Sequence, residues 1–340
     1  MPSVSTVLLL TAFAVAGGVL AWKGGDYLVR SSDRLGGHYG LPPVVQGAVI
    51  AAVGSSFPEL SSTVIATVQY GAFELGVGAV IGSAVYNILV IPAVSALAGE
   101  GRLASNRDLV YKEAQFYLLA LAVVLLAFTL SVLYNPLPET AALDGTMTWL
   151  VAFVPLSLYG LYVFIQYHDS VDHRRTATRQ QVAVGKQWAI LAGSLAVILV
   201  GAELLVRAAV GFGDVFGTST FLWGLTVVAA GTSIPDTFVS VSAARVGNSS
   251  VSLANVFGSN VFALLVALPA GVIAAGAVTV DLGTVVPMMT FLTFASVAFF
   301  AILRTEMMLT TRESYVLLGL YGVFIAWLVA ESLGLTAFLR

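Results

Sequence analysis

The sequence predicts an all-α integral membrane protein: ten transmembrane helices in two inverted five-helix repeats, with both termini extracellular. Three observations predict it. Apolar residues make up 58% of 340 and charged residues only 10%, at a mean hydropathy of +0.94, which is too little charge for a soluble domain of this length. The apolar residues fall in runs that each supply the roughly 20 residues a helical span requires. Finally, the second half of the chain repeats the first at an offset of 177 residues.

Taken in order, the runs are 4–22, 42–69, 73–98, 109–134, 147–167, 188–210, 219–244, 250–276, 282–303 and 314–336. The first follows no basic leader of the kind a cleaved signal peptide carries, and it reads as a retained span. The one hydrophilic linker, HDSVDHRRTATRQQVAVGKQ at 168–187, separates a first repeat, 1–167, from a second, 188–340. Ten spans place Lys23, Arg30, Arg34, Arg102, Arg107, Lys112, Arg174, Arg175, Arg179, Lys186, Arg245, Arg304 and Arg312 on one side, leaving only Arg207 and Arg340 of the 15 basic residues on the other. The positive-inside rule makes the crowded side cytoplasmic, so the linker is expected in the cytoplasm and both termini outside, in a multi-pass protein of the cell membrane. Trp22, Trp149, Trp188 and Trp223 fall near span ends, where an aromatic belt belongs. Cysteine is absent, which excludes disulfides and thiolate metal sites. The net charge of −3 gives no reason to expect a nucleic-acid partner.

The repeat is concrete. GGDYLVR at 24–30 lies over GAELLVR at 201–207, so Asp26 answers Glu203. At the same offset GSSFPE, 54–59, meets GTSIPD, 231–236, and Glu59 meets Asp236. One residue then drops out, and IGSAVYN at 81–87 meets FGSNVFA at 257–263. Five spans per half force the second half to enter the bilayer upside down. Inverted repeats with broken helices meeting near the midplane are the mark of secondary transporters, and they give one copy of the motif to each side of a shared site.

The chemistry of that motif is oxygen chemistry. Pro58 has no N–H and clashes with the carbonyl four residues back, so oxygens around Ala52 to Ser55 are freed; Pro235 does the same near Ala229 and Gly231. In lipid such oxygens persist only where protein or a cavity satisfies them. Ser55 and Glu59 share a helix face, flanked by Ser56 and Thr63. The second copy supplies Thr232, Ser233 and Asp236, and the next spans supply Ser83, Asn87 and Ser259. Carboxylate, hydroxyl, amide and carbonyl oxygens without nitrogen or sulfur suit a hard cation; calcium takes about 6–8 oxygens. The three histidines, His38, His168 and His173, are expected in connections, away from this set. Two carboxylates balance one calcium ion, and each costs about 2.5–3.5 kcal/mol at a helix centre even on the lenient scale. A site that crosses cheaply only when loaded has the logic of an antiporter. Gly78 and Gly82 are expected to permit close helix packing. Asp26 and Glu203 are expected near span ends, interfacial or paired with Lys23 or Arg207, and Glu74 and Arg245 in solvated turns.

At these residues the chain resembles the cation/calcium exchanger superfamily. GSSFPEL followed by VGAVIGSAVYNIL, and AAGTSIPD followed by GSNVF, are most similar to the potassium-dependent sodium/calcium exchangers, as is the use of Glu in one copy and Asp in the other. The resemblance implies alternating access by sliding of the first and sixth spans. It implies calcium held by Glu59 and Asp236, helped by Ser55 and Thr232. Sodium sites would use Ala52, Ser56 and Ser83 from one half and Ala229, Ser233 and Ser259 from the other, with Asn87 completing the centre. One position departs: where potassium-dependent members carry an aspartate after GSNVF, this chain has Ala263. A methyl group cannot ligate, so the expectation is sodium-driven exchange without potassium dependence. No cofactor is implied beyond the transported sodium and calcium, and the ion path fits within one chain, so a functional monomer is expected. The short linker leaves no room for a large cytoplasmic regulatory domain.

The runner-up is proton/calcium exchange at the same site, since a carboxylate in low dielectric can carry a proton. The many hydroxyls favour sodium. An intramembrane serine protease would need a histidine in a span, and an aspartyl protease has no use for the hydroxyls around its acids. A channel built on the same oxygens is the remaining alternative.

Overall fold

The computed structural model describes residues 3–39, 52–137, 143–171 and 182–336. Helix dominates because a helix satisfies its backbone hydrogen bonds within one segment, as hydrocarbon requires of any span that is not part of a closed barrel. The chain runs α1 (Val4–Tyr39), α2 (Ala52–Ser55), α3 (Phe57–Tyr70), α4 (Phe73–Leu89), α5 (Ile91–Ala98), β1 (Arg102–Ala104), a π-helical turn Asp108–Glu113, α6 (Ala114–Tyr134), β2 (Asp144–Thr148) and α7 (Trp149–Val171). It continues with α8 (Val184–Phe216), α9 (Thr220–Trp223), a π turn Gly224–Val228, α10 (Ala229–Arg245), α11 (Ser249–Phe262), a π turn Ala263–Ala267, α12 (Leu268–Ala275), β3 (Ala277–Asp281), α13 (Leu282–Arg304), β4 (Met308–Thr310) and α14 (Thr311–Ser332). Among the described residues, nine helical stretches are long and apolar enough to cross a membrane. The expected second span, 42–69, begins in 42–51, outside the described residues; its remainder is α2 and α3.

Two helices overrun the apolar runs that announced them. α1 extends to Tyr39, 36 residues, and α8 covers 33. At about 1.5 Å per residue each exceeds the roughly 30 Å hydrocarbon core. Helical hydrogen bonding continues where hydrophobicity stops, and charged residues spaced by four sustain it: Arg30 pairs with Asp26 at 2.9 Å, and Arg207 with Glu203 at 2.6 Å. Asp26 therefore pairs with Arg30, not Lys23, which instead lies over the Trp22 ring at 4.2 Å. The overrun of α1, and a shorter one that carries α7 to Val171, correct the histidines. His38 and His168 lie on α1 and α7 rather than in connections; His173 is outside the described residues.

Phe73–Ala98 and Ser249–Ala275 are the most buried spans, with 89% and 83% of their apolar windows inside the protein, so they form its centre. Glycine permits the closest approaches around them. A methyl group at Gly78 or Gly82 would collide with the carbonyl oxygens of Phe221 or Leu225, and one at Gly224 with that of Leu75. The same device joins α1 to α8, where a methyl at Gly17 would stand 2.7 Å from the Gly201 carbonyl oxygen.

The four short strands had no periodic signal in the sequence. β1 pairs antiparallel with β4, Arg102 opposite Thr310 and Ala104 opposite Met308. β2 pairs antiparallel with β3, Asp144 opposite Asp281 and Thr148 opposite Ala277. Each ribbon takes one strand from either side of the linker. Both also start helices: Thr310 and Glu313 form a capping box on α14, and Asp281 accepts from the Gly283 N–H at the start of α13.

Candidate cation site

The two acidic motifs fold differently. In the first, the helix breaks at Ser56, Pro58 occupies the first turn of α3, and Glu59 stands beside it in that turn. The proline needs no hydrogen-bond partner there, and the helix N-terminus favours the carboxylate. In the second, Pro235 lies inside a continuous α10, which follows directly on the π turn Gly224–Val228. Asp236 therefore has no helix N-terminus beside it. Side-chain donors take its place.

Both acids are buried, Glu59 at 1% and Asp236 at 0% exposure, and they lie close enough for their charges to interact. Ser83 Oγ donates to Glu59 Oε1 at 3.2 Å and shares a hydrogen bond of 2.7 Å with Ser233 Oγ. Ser259 Oγ donates to Asp236 Oδ1 at 2.9 Å and lies 3.4 Å from Ser55 Oγ. Ser83 thus stands to Glu59 as Ser259 stands to Asp236. Asn87 Nδ2 donates to Asp236 Oδ2 at 3.3 Å and to Asn260 Oδ1 at 3.0 Å. Thr232 Oγ1 lies beside Glu59 and donates to the Val228 carbonyl oxygen at 3.1 Å and, more weakly, toward that of Ala229 at 3.4 Å. Ser56 is buried, three residues before Glu59, and Ala52 and Ala229 are the first residues of α2 and α10. Hydrogen bonds thus bring together Ser55 of α2, Glu59 of α3, Ser83 and Asn87 of α4, Ser233 and Asp236 of α10 and Ser259 of α11. The hydroxyls of Ser56 and Thr63 make no such bond among the described residues, and Ala52 and Ala229 have no polar side chain to make one.

Two residues escaped the sequence reading. Asn255 Nδ2 reaches the Asp236 carbonyl oxygen at 3.4 Å, Asp236 Oδ1 at 3.5 Å and Ser240 Oγ at 3.1 Å. It stands one turn before Ser259 on α11, the spacing that relates Ser55 to Glu59, so a search for i, i+4 partners would have found it. Asn260, which meets Asn87, also donates to the Ala84 carbonyl oxygen at 3.3 Å. It faces another way from Ser259, and no pattern pointed to it. Ala263, 2% exposed, heads a π turn, and the amide opposite Asn87 comes from Asn260 instead.

Glu59 Oε2, Ser56 Oγ, Thr63 Oγ1 and Asn87 Oδ1 are buried acceptors with no hydrogen bond among the described residues. Buried polar atoms rarely go unsatisfied. These are oxygens of the kind a hard cation binds, and among the described residues no hydrogen-bond donor occupies them. The donor set fits calcium and sodium as cargo.

Two buried carboxylates in a cage of hydroxyl and amide oxygens, within a multi-pass helical membrane protein, define a membrane cation transporter. The chain belongs to the sodium/calcium exchanger protein family, whose pattern matches residues 9–168 and 186–330. It is similar to sodium/calcium exchanger MaX1 of Methanosarcina acetivorans, 27% identical over 269 residues, covering 70% of this chain and 75% of that protein. A mouse sodium/potassium/calcium exchanger 4 shares 30% identity over 162 residues, 47% of this chain and 24% of its own length. Among solved structures, the sodium-calcium exchanger NCX_Mj soaked with 100 mM Na+ and 10 mM Sr2+ aligns with a TM-score of 0.64 at 25% identity, covering 94% of this chain and 98% of that one.

Proposed function

We propose that this protein exchanges sodium for calcium across the membrane by alternating access, without a requirement for potassium. The observation that carries the reading is the pairing of Glu59 and Asp236 in a buried cage made of oxygens and amides. Two negative charges balance one calcium ion, and the unpartnered oxygens of Glu59, Ser56 and Asn87 are available to it. Calcium is held by Glu59 and Asp236 with Ser55 and Thr232. Sodium uses Ser56, Ser83 and the Ala52 carbonyl in one half, and Ser233, Ser259 and the Ala229 carbonyl in the other, with Asn87 between. Ala263 offers no ligand of its own, which supports independence from potassium.

The same reading makes the chain two inverted repeats, 1–167 and 188–340, joined by a cytoplasmic linker, with ten spans and both termini outside. The matched placement of Ser83 on Glu59 and Ser259 on Asp236 supports the repeat. The close pair α1 and α8, packed glycine to glycine, is the unit that slides. The protein works as a monomer and needs no cofactor.

The test is radioactive calcium uptake into proteoliposomes loaded with sodium and diluted into sodium-free, potassium-free buffer. Uptake that collapses when the sodium gradient is dissipated is the expected result. Uptake only with potassium added overturns the role given to Ala263. Uptake driven by a pH gradient instead assigns the site to proton/calcium exchange.

A further inference from the structure

Glu203 and Asp26 occupy matching places on α8 and α1, each in an i, i+4 pair with an arginine. Their surroundings differ. Tyr70, the last residue of α3, reaches across and donates its hydroxyl to Glu203 Oε1 at 2.9 Å, the same oxygen that accepts from Arg207 Nε at 2.6 Å. Glu203 Oε2 is buried and has no hydrogen bond among the described residues. The residues that correspond to Tyr70 at the end of α10, Val246 and Gly247, have no side-chain donor with which to hold Asp26. On that side, among the described residues, a cavity of about 390 Å³ is lined by Lys23, Asp26, Arg30, Pro235 and Ser242, and it reaches Ser55 of the cation site. Beneath Tyr70 the opposite holds: Ala66 of α3 is fully buried in an apolar cluster with Leu205, Val206 and Ala209 of α8.

We propose that Tyr70, Glu203 and Arg207 form a latch that ties the sliding helix α8 to α3 and keeps one side of the transporter shut. The inference rests on the sliding-helix reading given above. α3 carries Glu59 at one end and Tyr70 at the other, so one short helix both holds the ion and senses whether its roof is closed. For α8 to move, the tyrosine hydroxyl must leave Glu203. A hydrogen bond to a charged acceptor sets a bias of roughly tenfold to a hundredfold between closed and open. Arg207 remains on Glu203 through the movement, because both sit on α8.

The chain has no cysteine, so single cysteines report without background. Ala66→Cys places a thiol in the α3–α8 seam, and Ala120→Cys places one at an equally buried position of α6 in the core cluster. Both are made in the full chain in lipid nanodiscs, with and without Tyr70→Phe, and the rate of modification by a charged maleimide is measured. Tyr70→Phe is expected to speed modification at Ala66→Cys by about tenfold or more and to leave Ala120→Cys unchanged. An unchanged rate at Ala66→Cys overturns the latch. So does a parallel rise at both cysteines, which would mean general destabilisation. Sodium/calcium exchange by the same variants is measured separately. Exchange without faster labelling removes the latch alone; faster labelling on Tyr70→Phe with no exchange even where Tyr70 is intact removes the proposed function and leaves the latch standing.

Discussion

Glu59→Gln separates the charge of one carboxylate from its shape. The glutamine keeps an oxygen to accept from Ser83, and its amide replaces Oε2, an atom with no hydrogen bond among the described residues, so packing is undisturbed. What is lost is electrostatic. Unit charges about 4 Å apart interact by about 4 kcal/mol at an effective dielectric constant of about 20, hence about 8 kcal/mol for a divalent ion. If the glutamine oxygen and residual water recover three-quarters of this, about 2 kcal/mol remains for calcium and about 1 kcal/mol for sodium. At about 1.4 kcal/mol per tenfold, calcium affinity falls at least roughly thirtyfold and sodium affinity roughly fivefold. The assay is calcium uptake and sodium efflux in the same proteoliposomes, with gel filtration and thermal unfolding to establish folding. A folded variant whose calcium affinity stays within threefold of wild type, or whose sodium affinity suffers more than its calcium affinity, refutes the reasoning.

Other expectations follow from the same geometry. Asp236→Asn should abolish calcium transport and also destabilise the protein by about 1–3 kcal/mol, because its new amide nitrogen must face either Asn87 or the pair Ser259 and Asn255, all of which donate to the aspartate; a thermal midpoint equal to that of Glu59→Gln would contradict this. Ser56→Ala with Ser233→Ala should raise the sodium concentration needed for half-maximal exchange by about tenfold or more, while exchange driven by a pH gradient, if present, should survive; unchanged sodium dependence would remove both hydroxyls from the site. Gly82→Ala should cost about 1–3 kcal/mol or block assembly, since the methyl meets the Leu225 backbone oxygen rather than a movable side chain. Its check is the thermal midpoint in detergent, and wild-type stability would refute the close packing.

Much of the site was legible because its residues are costly where they stand. A glutamate beside a proline in an apolar run, repeated as an aspartate beside a proline, needs a reason; Ser55 and Ser83 followed by helical spacing from Glu59 and Asn87, and Ser259 by its matching place in the repeat. Asn260 was not legible, since its value comes from the side of α11 that happens to meet Asn87. The different folding of the two motifs was equally hidden: both contain proline, yet only the first breaks its helix. Hydropathy located the spans but stopped α1 just before its first lysine, whereas the helix runs on through the Arg30–Asp26 ion pair to Tyr39. The ribbons escaped entirely, since strands as short as Arg102–Ala104 and Met308–Thr310 are defined by a partner far along the chain rather than by their own pattern.

That separation bears on how the protein is made. β1 leaves the ribosome with its partner still untranslated, and it cannot close its ribbon until residues 105–307 have followed. At about 5–20 residues per second this is a wait of about 10–40 s. β2 waits less, for β3. Early in that interval the first half has two open strand edges and no counterpart for Glu59; Asp236 and β3 arrive before β4 does. Synthesis of the last connection, between α13 and α14, is then the step that supplies the partner strand and closes the ribbon beside α5. Truncation before Met308 should therefore leave a chain that inserts normally and is degraded as unassembled, although every residue of the cation cage is present.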